Sequence, residues 1–210
     1  MSAPRIEPPR RNVRRRERTR RLILEAARGV LALKGVEAAT VAEITQAADV
    51  GFGSFYNHFG SKRELFEAAV DQALEGHSHS LETRIVGMTD PARVLAASIR
   101  HAVELAETDR VWGAFVVRFG LMERSLRARL GSRARRELRR GIASGRFTPA
   151  DPATALVAIG GAVLSVIQGR LDGTLTANAG PELADQVLRM LGVPRNEAAR
   201  IARSVLPPAV

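Results

Sequence analysis

Residues 40–65 read TVAEITQAADVGFGSFYNHFGSKREL, and their interpretation decides the fold. The chain of 210 residues has only nine aromatic side chains, yet Phe52, Phe55, Tyr56 and Phe59 fall within eight positions here, beside three glycines. Thr40 has the character of an N-cap, and Glu43 three residues later completes a capping box, so a short helix "VAEITQAA" is expected to end near Asp49. A tight turn then leads to "GFGSFYNHF", long enough for about two helical turns. Ser61 caps the following helix, with Glu64 at its N3 position in a second capping box, and Leu65, Phe66, Ala69, Val70 and Leu74 give that helix an apolar stripe. Upstream, Leu22, Ile23, Ala26, Ala27, Val30 and Leu31 recur at helical spacing from about Arg14, and Gly35 is the stop signal. Residues 14–80 therefore read as long helix, short helix, turn, short helix, long helix. This is a helix-turn-helix arrangement.

A recognition helix presents its first residues to base edges and keeps its back packed on the preceding helix. Phe55 and Phe59, four apart, share one face and suit a core. Tyr56, Asn57 and His58 carry polar groups that a core does not need. Gly51 and Gly53 permit close approach of a backbone, and Ser54 is short enough to meet a phosphate or a base edge. Phe52 either packs on a thymine methyl or tucks against its own domain. Lys62 is placed to pair with a phosphate.

Charge points the same way. Residues 1–21 hold nine Arg against two Glu, a local net of +7, whereas residues 22–80 hold four basic against eight acidic side chains, a net of −4. Basic clusters attract phosphate without sequence preference. Residues 1–13 are expected to be a disordered basic arm, and Arg14, Arg15, Arg16 and Arg18 to follow the DNA backbone or enter the minor groove.

Beyond residue 80 the pattern is helical throughout, so the expected fold class is all-α. Pro91 fits the first position of a helix carrying Val94, Leu95, Ile99, Ala102 and Leu105. Trp112, Phe115, Phe119, Met122 and Leu126 form a stripe spaced 3, 4, 3 and 4, leading into an Arg-rich helix expected to run to about Ser144. Trp112, Phe115, Phe119 and Met122, with His101 nearby, are candidates for the wall of a ligand pocket, against the alternative of ordinary core. Further helices are expected at about 152–171, 182–192 and 195–205. The run from Pro152 to Gly169 reads as too short and too polar for a membrane span, and suits a buried helix. The Arg-rich stretch 124–140 reads as a solvated helix face.

The absence of cysteine excludes disulfides, thiol nucleophiles and Cys-based zinc sites. The four His, at 58, 77, 79 and 101, form no metal-ligand pattern, and no phosphate-cradling loop or nucleophile–base pair is apparent, so neither an enzyme nor a cofactor is expected. No apolar segment follows the N-terminal charges, which argues against a secretory signal and for a cytoplasmic location without membrane partners. A nonspecific, charge-driven nucleic-acid binder and an all-helical enzyme remain as alternatives.

The combined pattern of residues 40–65 resembles the DNA-binding segment of the TetR family of one-component transcriptional regulators, over roughly residues 17–75. The family shows a helix-two "T-x-x-x-I-A-x-x-A-G-V", then "G-[ST]-[LFI]-Y-x-[HY]-F" and "x-S-K-x-x-L". The resemblance implies that Thr40 caps the second helix and touches a phosphate. It places Gly53, Ser54, Tyr56, Asn57 and His58 at DNA, with Tyr56 and His58 on the backbone and Lys62 as an anchor. Gly51 and Phe52 depart from polar residues usual in the family. The resemblance further implies residues 14–80 as DNA-binding domain and 81–210 as effector-binding and dimerisation domain of a homodimer, reading a palindromic operator under control of a small molecule. Small residues in "ALVAIGGAVLSVIQGRL", together with "ELADQVLRML", then suggest a four-helix dimer interface of Leu156, Ile159, Gly160, Val163, Ile167, Leu183, Val187 and Met190.

Overall fold

A computed structural model describes residues 10–207, all of whose regular elements are helices: α1 (Arg10–Ala38), α2 (Val41–Ala47), α3 (Phe52–Tyr56), α4 (Lys62–Ile85), α5 (Pro91–Thr108), α6 (Arg110–Gly120), α7 (Arg124–Leu130), α8 (Ser132–Ala143), α9 (Pro152–Leu171), α10 (Ala179–Met190) and α11 (Arg195–Ala202). The chain forms two compact units that divide after Gln72, inside α4, rather than at residue 80. The continuous helix conceals that division in the sequence. The first helix starts at Arg10, so residues 10–13 are helical rather than part of a disordered arm, and residues 1–9 lie outside the described residues.

In the N-terminal unit, Gly35 interrupts α1 with φ 82°, a conformation that L side chains rarely adopt. Ile23, Leu24, Ala27 and Leu31 from α1, Ile44 from α2, Phe55 and Phe59 around α3, and Leu65, Phe66 and Ala69 from α4 are buried. The Thr40–Glu43 box forms as the spacing requires: Glu43 N–H donates to Thr40 Oγ1 (3.2 Å), and Glu43 Oε2 accepts from Thr40 N–H (3.0 Å). The second box closes differently. Ser61 Oγ accepts from Glu64 N–H, but the Glu64 carboxylate reaches past the cap to Gly60 N–H at 2.7 Å.

In the C-terminal unit α5 is the central helix, packed by α6, α8, α9, α10 and α11. Leu95, Ile99, Leu138, Phe147, Ile159, Leu183, Leu188 and Ile201 meet in one cluster. Asp90 caps α5, and its carboxylate also takes two bonds from Arg146 (3.1 and 3.2 Å), while Arg146 binds Glu197 of α11 (2.7 and 3.2 Å). Burial disfavours the Asp90 carboxylate, but the bonds from Arg146 and Ala92 N–H outweigh it and hold the pKa below the ordinary value. This bridge joins the start of α5 to α11 across 107 residues of chain.

Two expected helices differ. The Arg-rich stretch is not one helix but two, α7 and α8, separated by Gly131. α9 is long and apolar enough to cross a membrane by length and composition, contrary to the sequence reading. It is not buried in the chain either, since 17% of its apolar window is covered.

Candidate nucleic-acid interface and effector chamber

The short helix α3 is held from behind. Phe55 and Phe59 lie fully buried with ring centroids 5.9 Å apart, and the Tyr56 ring meets Phe55 edge-on at 5.1 Å. On the outer side Phe52 and Tyr56 are 54% and 57% exposed and touch edge to face, centroids 5.7 Å apart. Phe52 therefore does not tuck against its own unit. Gly51 and Gly53 have open space where a Cβ would stand, so the first turn of α3 offers one large exposed side chain and it is apolar. Gly51 also supplies no side-chain bond as N-cap. Asp49, in the turn, has φ 51°, a conformation Asp tolerates better than most residues.

The basic arm lies beside this surface. Arg16 Nη2 donates to the Asn57 carbonyl (3.3 Å), and the Arg20 guanidinium sits 5.1 Å from the centre of the Phe59 ring. Arg14, Arg15, Arg16 and Arg18 are exposed, as are Thr40 and Asn57. Ser54 and His58 are half-buried, and burial together with Arg16 and Arg20 lowers the His58 pKa, so its imidazole is neutral near pH 7. Lys62 departs from its expected place at a phosphate: its ammonium donates to the Glu37 and Ala39 carbonyls (3.0 Å each). Those carbonyls end α1 just after the Gly35 break, so Lys62 pins that end to the start of α4.

Replacing Arg14, Arg15, Arg16 and Arg18 together by Ala is expected to weaken duplex binding and to reduce the slope of log Kobs against log salt by about 3 to 4, near one per lost phosphate contact. Gel-shift titrations between 50 and 200 mM salt (roughly the range over which such slopes act) provide the check, and an unchanged slope would remove the arm from the interface.

In the C-terminal unit the expected pocket wall is reordered. Trp112, Phe115 and Phe119 are buried, and Phe115 and Phe119 pack on each other at 5.0 Å. Met122 is 83% exposed and leaves the set, because α6 ends at Gly120 and the stripe's helical register ends with it. His101 gains a partner the sequence did not reveal. Its ring stacks on His77 at 5.1 Å and 28°, and His77 stacks on Trp112 at 5.3 Å and 22°. The indole N–H of Trp112 donates to the Ala73 carbonyl at 3.0 Å. Among the described residues, neither ring nitrogen of His101 nor Nδ1 of His77 has a hydrogen-bond partner. Burial, then His101 and Arg133, push the His77 pKa down to about 3. Burial, then Arg84, lower that of His101, although the His77 backbone opposes the shift without forming a bond of good geometry. His77 also lines a pocket of about 370 Å³ between α4 and the pair α7 and α8, with Leu74, Ser78, Leu81, Leu130 and Arg133.

The expected dimer residues divide in two. Ile159, Ile167, Leu183 and Val187 are buried within the single chain and are corrected to its own core, with Leu156 and Val163 half-buried against it. Gly160 and Met190 are exposed. The outer face of α9 instead carries Val157, 75% exposed, with Ala158, Gly160 and Ser165. The opposite side of α9 packs on the core, so the helix carries apolar residues on a covered face and an uncovered face alike.

Comparison with known proteins agrees with this architecture. The family model for the N-terminal domain of the "bacterial regulatory proteins, tetR family" matches residues 23–69, and that of the "tetracyclin repressor-like, C-terminal domain" matches residues 90–204, more than half of the chain. The solved structure of RolR in complex with resorcinol is 36% identical, covers 94% of this chain and 100% of its own, and superposes with a TM-score of 0.70. The transcriptional regulator TtgR of Pseudomonas putida is 40% identical over 63 residues, and the transcriptional repressor BepR of Brucella suis is 34% identical over 92 residues. The chain spans only 30% and 44% of the lengths of these two curated relatives. The helix-turn-helix unit, the all-helical second unit and these matches establish that the chain belongs to the TetR family of bacterial regulatory proteins and is a transcriptional regulator, not an enzyme.

Proposed function

We propose that the chain is a cytoplasmic, sequence-specific repressor that binds a palindromic operator as a homodimer and changes its operator affinity when a small aromatic molecule enters the C-terminal unit. The observation that carries this reading is α3: its back is fixed by buried Phe55 and Phe59, while Phe52, Tyr56 and Asn57 stand exposed beside a row of arginines. Such a face fits a major groove, where a rigid helix and flanking cations are both needed. A homodimer supplies two of these helices and gives the uncovered face of α9 a partner. RolR, over a third identical along nearly the whole chain, was solved with resorcinol, which supports an aromatic effector. α4 runs from the helix-turn-helix unit into the unit that holds His77, so a ligand there acts on a helix shared with the DNA-binding unit.

Selection of bound duplexes from a random pool tests the proposal. One palindromic motif is the expected product, and equal retention of every sequence, lost together as salt rises, overturns it. Since Phe52 is the large side chain of the first turn, the motif is expected to contain thymine in each half-site. Replacing that thymine by uracil, which removes only the 5-methyl group, should weaken binding by roughly 5-fold, and Phe52→Ala should bind both duplexes alike. Equal binding of the two duplexes by the unaltered protein would assign Phe52 no part in reading the base.

A further inference from the structure

We propose that Lys62 is a positioning residue for operator reading: its ammonium ties the first residue of α4 to the turn that leads into α2, and so fixes the frame that holds α3. The inference rests on the reading of the chain as a sequence-specific DNA-binding protein and assigns part of that specificity to a side chain that touches no base.

Lys34 and Lys62 are the only lysines among the chain's 32 basic side chains, and both act on the same short segment. Gly35 breaks α1, and residues 36–39 make one further turn between that break and Thr40, the N-cap of α2. Lys34, just before the break, pairs with Glu43 in the first turn of α2. Lys62, beyond α3 in the chain, donates to the Glu37 and Ala39 carbonyls at 3.0 Å each. Ala39 is buried, and the next residue, Thr40, exchanges two bonds with Glu43. One lysine thus holds the start of α2 from α1, and the other holds it from α4.

Physical chemistry favours this use of Lys62 over a phosphate contact. The last carbonyls of a helix lack an intrahelical partner and carry the negative end of its dipole. An ammonium is a compact charge with three donors, so it can serve two neighbouring carbonyls at once. At the first position of α4 the same charge lies at the positive end of its own helix, an unfavourable place that the α1 carbonyls offset. Lys62 is half-buried, whereas Arg14, Arg15 and Arg18 stand exposed and carry the fork that matches a phosphate. α3 itself has five residues and no side-chain cap, so its direction is set by the elements on either side. A base contact forms only where the helix holds its groups at hydrogen-bond distance from the base edge. Releasing α2 from α4 therefore loosens the contacts of α3 without removing a cation from the DNA backbone.

Two measurements on the full-length protein test the assignment. Because Lys34 and Lys62 are the only lysines, acetylation by acetic anhydride, read residue by residue in a mass spectrometer, reports on each ammonium separately. Lys62 is expected to react about 10-fold or more slowly in the folded protein than in urea, the scale of a charge-assisted hydrogen bond, and as slowly with operator duplex present. Reaction at the unfolded rate, or protection that arises only when duplex is added, overturns the proposal. Lys62→Met keeps the stem and removes the ammonium. Its affinity for the selected operator is expected to fall about 10-fold or more, the scale of one base contact. Its affinity for a scrambled duplex is expected to stay within about 2-fold, and its slope of log Kobs against log salt to stay unchanged. A slope lowered by about 1, with equal losses on both duplexes, makes Lys62 a phosphate contact and overturns the proposal, as does an unchanged operator preference. If no operator is selected the regulator reading fails, while slow acetylation of the free protein still establishes the tie between α4 and α2.

Discussion

Val157→Arg combined with Gly161→Arg is expected to leave a folded monomer with operator affinity lowered on the order of 100-fold or more, because a second half-site contact is then no longer tethered to the first. Val157 is 75% exposed, and Gly161, four residues on, has open space where a side chain would begin. Side chains that begin at these two places start in open space, but across an interface two arginines would face each other and bury unpaired charge. The substitutions do not harm the isolated helix, since Arg is a better helix former than Gly by about 1 kcal/mol. Light scattering after gel filtration, with circular dichroism as the control, decides the matter. A dimer that survives both arginines would show that the chains meet elsewhere. Loss of helix in the monomer would instead mean that the α9 surface belongs to the chain's own fold.

That face illustrates what the sequence makes legible. Periodicity shows which residues are apolar, but not whether the apolar face is covered by the same chain or by a second one. The apolar pattern therefore groups Ile159 and Ile167 with Gly160, although both are buried within the chain. The capping box of Thr40 and Glu43 was readable because all of its atoms lie within four consecutive residues. Lys62 shows the opposite case. Its partners, the Glu37 and Ala39 carbonyls, lie more than 20 residues away, and nothing local distinguishes a lysine that ties two helices from one that meets a phosphate. His77 and His101 are 24 positions apart on separate helices, so no local pattern pairs them, and His79, two residues from His77, is exposed on α4. The helical period that includes Met122 does not survive the end of α6 at Gly120. The helix-turn-helix core needed only near neighbours and a strong apolar pattern, and it was legible as a whole.

Gly141→Ala is expected to destabilise the C-terminal unit by about 3 kcal/mol, lowering Tm by roughly 6–12 °C for a domain of this size. A Cβ added at Gly141 would lie 1.9 Å from Phe147 Cδ2 and 2.4 Å from Cε2. The ring has no room to yield. Phe147 is buried among Leu138, Ile159, Leu188 and Leu191, and the chain reversal that delivers it is itself fastened to Gly141, whose carbonyl accepts from Arg146 N–H (2.7 Å) and Phe147 N–H (3.0 Å). One added methyl group therefore either expels the ring from the core or opens the turn. If the ring is the cause, Gly141→Ala with Phe147→Leu should recover part of the loss, so that the double variant is more stable than the sum of the two single costs allows. Additive losses in a thermal or urea melt would place the strain in the backbone of the turn instead. Gly160→Ala is the matching control, because open space surrounds it and a helix interior gains up to about 1 kcal/mol from that exchange. The contrast between these two glycines, nineteen residues apart, separates a helix that is jammed against its own core from one whose outer face the chain leaves uncovered.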